Sequence, residues 1–200
     1  GQQQKDSSAI TNFPHANGNT WQYKKTMTFG TYEGIYIETL YLNGFTTLES
    51  GLTVQNCYGS DEAIQELFGA RQTVKALAFS SPGYYLIGGS GVYYYSSIDP
   101  SPEACLVLPL PLNIGKTWQR NYRSSYEAVA KEEITVPAGT FNTTKIVSKS
   151  FPDEEHYEWY ADGVGMVKLF VKVLNVHLLI GGEITSETYV STMELLSKNY

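Results

Sequence analysis

From Thr20 onward, Trp21, Tyr23, Met27 and Phe29 alternate with Gln22, Lys24, Thr26 and Thr28, the period-2 signature of a strand with one buried face. Pro14 and Gly18 punctuate its start. "GIYIETLYL" continues in the same style, a turn is expected at Asn43-Gly44, and "FTTLESGLTVQNCY" follows as a strand that Gly51 bulges. Three antiparallel strands therefore open the chain. "SDEAIQELFGA" breaks the pattern: Ser60 or Asp61 suits an N-cap, Asp61 and Glu62 suit the positive end of a helix dipole, and Ile64, Leu67 and Phe68 recur at helical spacing. One short helix is expected there, ended by Gly69. Strands resume at "VKALAF", "YYLIGG" and "VYYYSS", divided by the turn signals Ser81-Pro82-Gly83 and Gly88-Gly89-Ser90-Gly91.

"PSPEACLVLPLPLN" carries Pro100, Pro102, Pro109 and Pro111, which donate no backbone hydrogen bond and bar the segment from a central ladder. It is expected to cross a sheet face or edge. Beyond it, "TWQRNYRSSYEA", "EEITV", "FNTTKIVSKS", "HYEWYA", "GMVKLFVKV" and a last stretch through "SETYVSTMELLS" read as strands. Pro137 and Gly139 in "VPAGTF" supply a hairpin turn with a following bulge, and Gly163 and Gly165 permit a tight bend after Trp159-Tyr160. The phrase "PHANGNTWQ" at Pro14–Gln22 returns as "PLNIGKTWQ" at Pro111–Gln119, with Pro, Gly, Thr, Trp and Gln in register. Similar turn glycines follow in the same order, so the pattern reads as an internal duplication, with coincidence between two sets of strand starts as the alternative. The expected organisation is a polar tether over 1–12 and one β domain over 13–200, built from related halves 13–104 and 105–200. Its fold class is mostly β: a curved antiparallel sheet, a half-barrel or open barrel of meandering hairpins, with one short helix.

"LPLPLNIGKTW", "EEITVPAGTF" and "YEWYADGVGMVK" together resemble a broad family of exported bacterial proteins, many of them lipoproteins of unknown function. The shared motifs are V-P-A-G-T-F and W-Y-x-x-G-V-G-x-V-K, and the likeness covers Leu106 to Lys168 well and the first half loosely. The resemblance implies a strongly curved sheet similar to the half-barrels of periplasmic lipoprotein carriers, a place in the periplasm or on the cell surface, and a lipid anchor. It brings no catalytic residues.

The rest of the composition narrows the partners. A net charge of −6 without a Lys/Arg stripe repels phosphate backbones, which argues against nucleic acid. The most apolar run, "VKLFVKVLNVHLLIGG", is interrupted by Lys168, Lys172, Asn175 and His177, too often for a membrane-spanning helix. Membrane association is expected only through an anchor upstream of "GQQQKDSSAITN", after removal of a signal peptide. Cys57 and Cys105 are too few for a zinc site; they are either two buried thiols or one disulfide, which in the chain-entropy model stabilises by about 4 kcal/mol.

Catalytic signals are weak. No G-x-S-x-G elbow is present, His15, His156 and His177 are scattered, and Asp153, Glu154, Glu155 and His156 read first as a solvated hairpin tip. No cofactor is expected. The remaining signal is aromatic: Trp21, Tyr23, Trp118, Tyr122, Trp159 and Tyr160 lie on strands where they either line one face of the sheet as an amphipathic groove or fill its core. The leading expectation is a non-enzymatic exported envelope protein that binds a lipid-like or otherwise apolar ligand, or another envelope protein, on that face. A structural or adhesive scaffold is one alternative. A glycan-directed hydrolase, drawing on Glu127, Asp153, Glu154, Glu155, His156 and Glu158, is the other.

Overall fold

In a computed structural model of the chain, residues 9–65, 83–96, 104–121, 124–149, 153–180 and 183–200 are described. They form twelve strands: β1 (Thr20–Phe29), β2 (Tyr32–Thr47), β3 (Thr53–Gln65), β4 (Gly83–Gly88), β5 (Gly91–Tyr95), β6 (Cys105–Pro109), β7 (Thr117–Asn121), β8 (Ser124–Val136), β9 (Gly139–Ser148), β10 (Glu154–Ala161), β11 (Gly165–Ile180) and β12 (Glu183–Asn199). All belong to one sheet in the order β6-β5-β4-β3-β2-β1-β12-β11-β10-β9-β8-β7. Each strand from β1 to β6, and from β7 to β12, pairs antiparallel with its chain neighbour, and β1 pairs with β12. The edges β6 and β7 come into contact without a ladder between them, so the sheet curls into a nearly closed, up-and-down barrel.

The alternation that predicts the strands also fills the barrel. Trp21, Tyr23, Leu40, Leu42, Tyr85, Leu108, Tyr160, Met166, Leu169 and Leu195 are all buried in one apolar cluster drawn from most strands. One end is closed by the segment before β1. Ile10 and Leu112 exchange backbone hydrogen bonds of 3.1 and 2.8 Å, and Phe13 packs 6.3 Å from the Trp21 ring. The Asp162 carboxylate accepts from the backbone N–H groups of Thr11 (2.7 Å) and Asn12 (2.8 Å). Ile10, Thr11 and Asn12, expected at the end of a free tether, are thus strapped to the barrel.

Several local expectations are corrected. Ser60–Gln65, expected to begin a helix, is strand, because β2 is long enough to offer ladder partners from Thr39↔Ser60 to Ile35↔Gln65. Backbone pairing overrides helical propensity there; the remainder of that segment and "VKALAF" lie outside the described residues. Asn43-Gly44 is not the turn: β2 continues through it with a register shift between Leu42 and Phe45. The chain reverses instead at Leu48–Leu52, where Gly51 adopts φ +82° and donates its N–H to the Leu48 carbonyl. "TWQRNYRSSYEA" is not one strand but parts of two, β7 and β8, paired as a hairpin from Thr117↔Glu127 to Asn121↔Ser124. The proline-bearing "CLVLP" does form a strand, at the sheet edge, where proline's missing donor costs no ladder bond. The "VPAGTF" hairpin forms as expected, with Val136 opposite Gly139 at φ +128°.

Candidate functional site

The densest polar constellation of the described residues lies inside the barrel at the β6/β7 seam. Alternation along β7 sends Trp118 and Arg120 inward and leaves Gln119 exposed; on β10 it sends Glu154, His156 and Glu158 inward. Arg120 grips both oxygens of Glu158, with Nη1–Oε1 at 2.5 Å and Nη2–Oε2 at 2.6 Å, and its Nε donates to the Val107 carbonyl on β6 at 2.9 Å. One side chain therefore ties the two sheet edges to each other and to β10. The His156 imidazole continues the chain, with Nε2 2.8 Å from Glu158 Oε1 and Nδ1 3.3 Å from Glu154 Oε1.

Aromatic rings enclose this chain. The Arg120 guanidinium lies 3.9 Å from the centroid of the Tyr126 ring, Trp118 stacks on Tyr126 at 5.9 Å, and Tyr126 meets His156 edge to face at 5.7 Å. Arg120 and Glu158 have side chains 0 % exposed. Burial alone pushes the Glu158 carboxyl up, but Arg120 and the hydrogen bond from His156 outweigh it and hold it down at about 2. Burial pulls the His156 imidazole down, and its bonds to Glu154 and Glu158 raise it net above its ordinary value. Both ring nitrogens of His156 face carboxylate oxygens.

That arrangement limits the chemistry. Glu158 is held ionised and carries three donors, so it has no proton to give and no access to a solvent-borne substrate. Of the six residues weighed for hydrolysis, Glu154, His156 and Glu158 come together, in a hydrogen-bonded chain that ends on Arg120. Glu127 pairs with Lys149, Glu155 with Lys172 at 2.8 Å, and Asp153 is exposed. Among the described residues, no group of three or more His, Cys, Asp or Glu is placed to hold a metal ion.

The aromatic candidates divide between faces. Trp21, Tyr23, Trp118 and Tyr160 lie in the interior cluster; Trp21 Nε1 donates to the Val164 carbonyl at 2.9 Å and the Tyr23 hydroxyl to the Met166 carbonyl at 3.0 Å. Trp159 occupies the opposite face of β10, where its Nε1 donates to Glu132 at 2.8 Å and Lys145 lies over both its ring and that of Tyr157. Tyr122 is outside the described residues. Cys57 and Cys105 are both free thiols. Arg120, the centre of the constellation, went unnoticed in the sequence; its only signal is a charged residue at an inward position two places after Trp118.

A family model described as DUF3108-like matches residues 125–169, spanning β8 to the start of β11 and including His156 and Glu158 but not Arg120. No curated protein gives a significant match. Two solved structures are similar in course. A candidate lipoprotein of Parabacteroides distasonis shares 15% identity, covering 96% of this chain and 100% of the other, with a TM-score of 0.48. A candidate exported protein with a YmcC-like fold from Bacteroides fragilis shares 16% identity over 96% and 100%, with a TM-score of 0.46.

Proposed function

We propose that the chain is an exported protein of the bacterial cell envelope that acts by binding, its barrel serving as a rigid support for ligand-facing side chains on the outer surface. One observation carries the reading. The ionisable groups best placed for chemistry spend their hydrogen bonds on one another inside the barrel, whereas Tyr41 and Tyr58 stand 37% and 44% exposed on the outside. The exported setting, in the periplasm or at the cell surface on a lipid anchor, is inferred from the resemblance of the second-half motifs.

A second reading, a lipid-like ligand held inside, is favoured by buried nitrogen donors without partners among the described residues, Trp118 Nε1 and Gln55 Nε2. Trp21, Tyr23, Trp118 and Tyr160 are its proposed contacts; Trp159 faces away. Organic extraction of natively purified protein followed by mass spectrometry separates the two, since a stoichiometric lipid selects the interior. The leading reading is tested by sedimenting the protein with isolated bacterial envelopes. Saturable co-sedimentation is expected. Absence of co-sedimentation, or release of soluble products by the wild type but not by Glu158→Gln, overturns it.

A further inference from the structure

The outer face of β12-β1-β2-β3 carries two adjacent rows of residues with a single chemical character. The ladders align Asn199, Thr20, Tyr41 and Tyr58 across the four strands. Two residues along, they align Ser197, Gln22, Thr39 and Ser60. Every one is an uncharged hydrogen-bonding residue. Charge returns one row further, where Lys24 stands opposite Glu194 on one side and Ile37 on the other, with Glu62 beyond Ile37.

Within this face the two tyrosines stack with centroids 5.4 Å apart and planes 23° from parallel, and both remain exposed to solvent. Their surroundings are ordered by side-chain bonds: Ser197 donates to Gln22 at 2.9 Å, Gln22 to Thr39 at 3.4 Å, and Asn56 Nδ2 to the Tyr58 hydroxyl at 3.5 Å. Thr46 fixes Asn56 in turn, at 2.8 Å. Strand backbones hold these groups in place, so a ligand meets a surface already organised.

Resting on the binding reading above, we propose that the Tyr41–Tyr58 face is a site for a neutral glycan. The chemistry matches in both halves. A pyranose ring presents a patch of C–H groups that packs on the electron-rich face of an aromatic ring, while its hydroxyls need donors and acceptors in the same plane, which Gln22, Thr39 and Asn56 supply. An anionic ligand finds no counter-charge in either row. A membrane surface calls for clustered apolar side chains beside cations, and these rows hold neither.

Electrophoresis of the native protein through gels containing galactomannan, xyloglucan or starch, with anionic alginate as the control, tests the site. Retardation by at least one neutral polysaccharide is expected. Tyr41→Ala and Tyr58→Ala each weaken the apparent affinity by roughly tenfold, the size of one lost aromatic contact, and Tyr157→Ala, beside Trp159 on β10, leaves it unchanged. Tyr58→Phe retains most of the affinity, and thermal melts confirm that each variant is folded. The proposal is overturned if no neutral polysaccharide retards the wild type, if the double alanine variant is retarded equally, or if Tyr41 and Tyr58 instead govern binding to phosphatidylcholine–phosphatidylglycerol vesicles. Because envelope co-sedimentation persists when only the glycan assignment is wrong, failure here is distinguishable from failure of the binding reading.

Discussion

Arg120 and Glu158 stand three strands apart in the sheet order, β7 against β10, yet their side chains meet at 2.5 Å. Measured along a sheet, three strand spacings are about 14 Å. The contact spans the hollow of the barrel and closes only because the sheet is curled. Arg120 Nε reaches Val107 as well, so this guanidinium bridges the seam between β6 and β7, where the described residues form no ladder.

Breaking that grip is therefore expected to be costly. Arg120→Ala leaves Glu158 ionised and buried without its counter-charge, and such a change costs about 3–5 kcal/mol. Arg120→Lys fails to rescue it, since a single ammonium cannot span both carboxylate oxygens and the Val107 carbonyl. The double variant Arg120→Met with Glu158→Leu recovers most of the loss, because it removes both charges together. Urea unfolding of the four proteins checks the pattern, and equal stability of Arg120→Ala and the wild type refutes the clasp.

The same chain predicts stability that falls on both sides of weakly acidic pH. Glu158 has its proton affinity lowered from 4.5 to about 2, so its contribution is complete above 4.5 and is lost as pH falls toward 2. His156 is raised above 6.5, so its contribution is complete below 6.5 and is lost as pH rises through its folded value. The groups facing the imidazole are Glu154, Glu158, Arg120 and Tyr126. His156→Gln is expected to abolish the decline on the alkaline side while leaving the acid limb. Urea midpoints across about pH 5 to about pH 9 report it, and a variant with the wild-type alkaline slope rules His156 out as its source.

Much of the barrel was legible because alternation is local. Trp21 and Tyr23 declare their faces from neighbours one and two positions away, whereas on β10 the same rule misleads, since Glu158 points inward and Tyr157 outward. The repeated phrase precedes β1 and β7, the first strands of the two six-stranded runs. Ser60–Gln65 misled for the opposite reason: its helical spacing is local, whereas its partner Ile35–Thr39 is remote. Exchange of roles between Gly44 and Gly51 has the same origin, because turn chemistry fixes that the chain can bend and pairing fixes where. The clasp was least legible. Arg120 and Glu158 are 38 residues apart, and only the closure of the sheet places them together.

The strap before β1 is predicted to open ahead of the barrel. Asp162 holds it through two backbone N–H groups in an exposed setting, so Asp162→Ala is expected to cost only about 1 kcal/mol globally. Locally the effect is larger: amide exchange at Ile10 and Leu112 quickens, while Tyr23 and Leu169 keep their wild-type protection. Asp162→Asn, which retains the accepting oxygen, falls between. Unchanged exchange at Ile10 in Asp162→Ala contradicts this account of the strap.

The two thiols should differ sharply in reactivity. Thiolate is the reactive species, and burial, with a smaller push from Glu38, raises Cys57 to about 12. Cys105 is also raised by burial, but Arg120 draws it back and its side chain retains partial access to solvent. Iodoacetamide labelling of the native protein followed by peptide mass spectrometry is expected to modify Cys105 first. Cys57 labelling should require global opening, and its rate should rise with urea in parallel with unfolding. Arg120→Met gives the discriminating arm: without the guanidinium the Cys105 thiolate loses a favourable charge, so chemical preference alone slows Cys105, whereas loosening of the seam speeds it. Faster labelling at Cys105 with Cys57 still protected locates the first opening of the barrel at the β6/β7 edge, and equal acceleration at both thiols shows that the barrel opens as a whole.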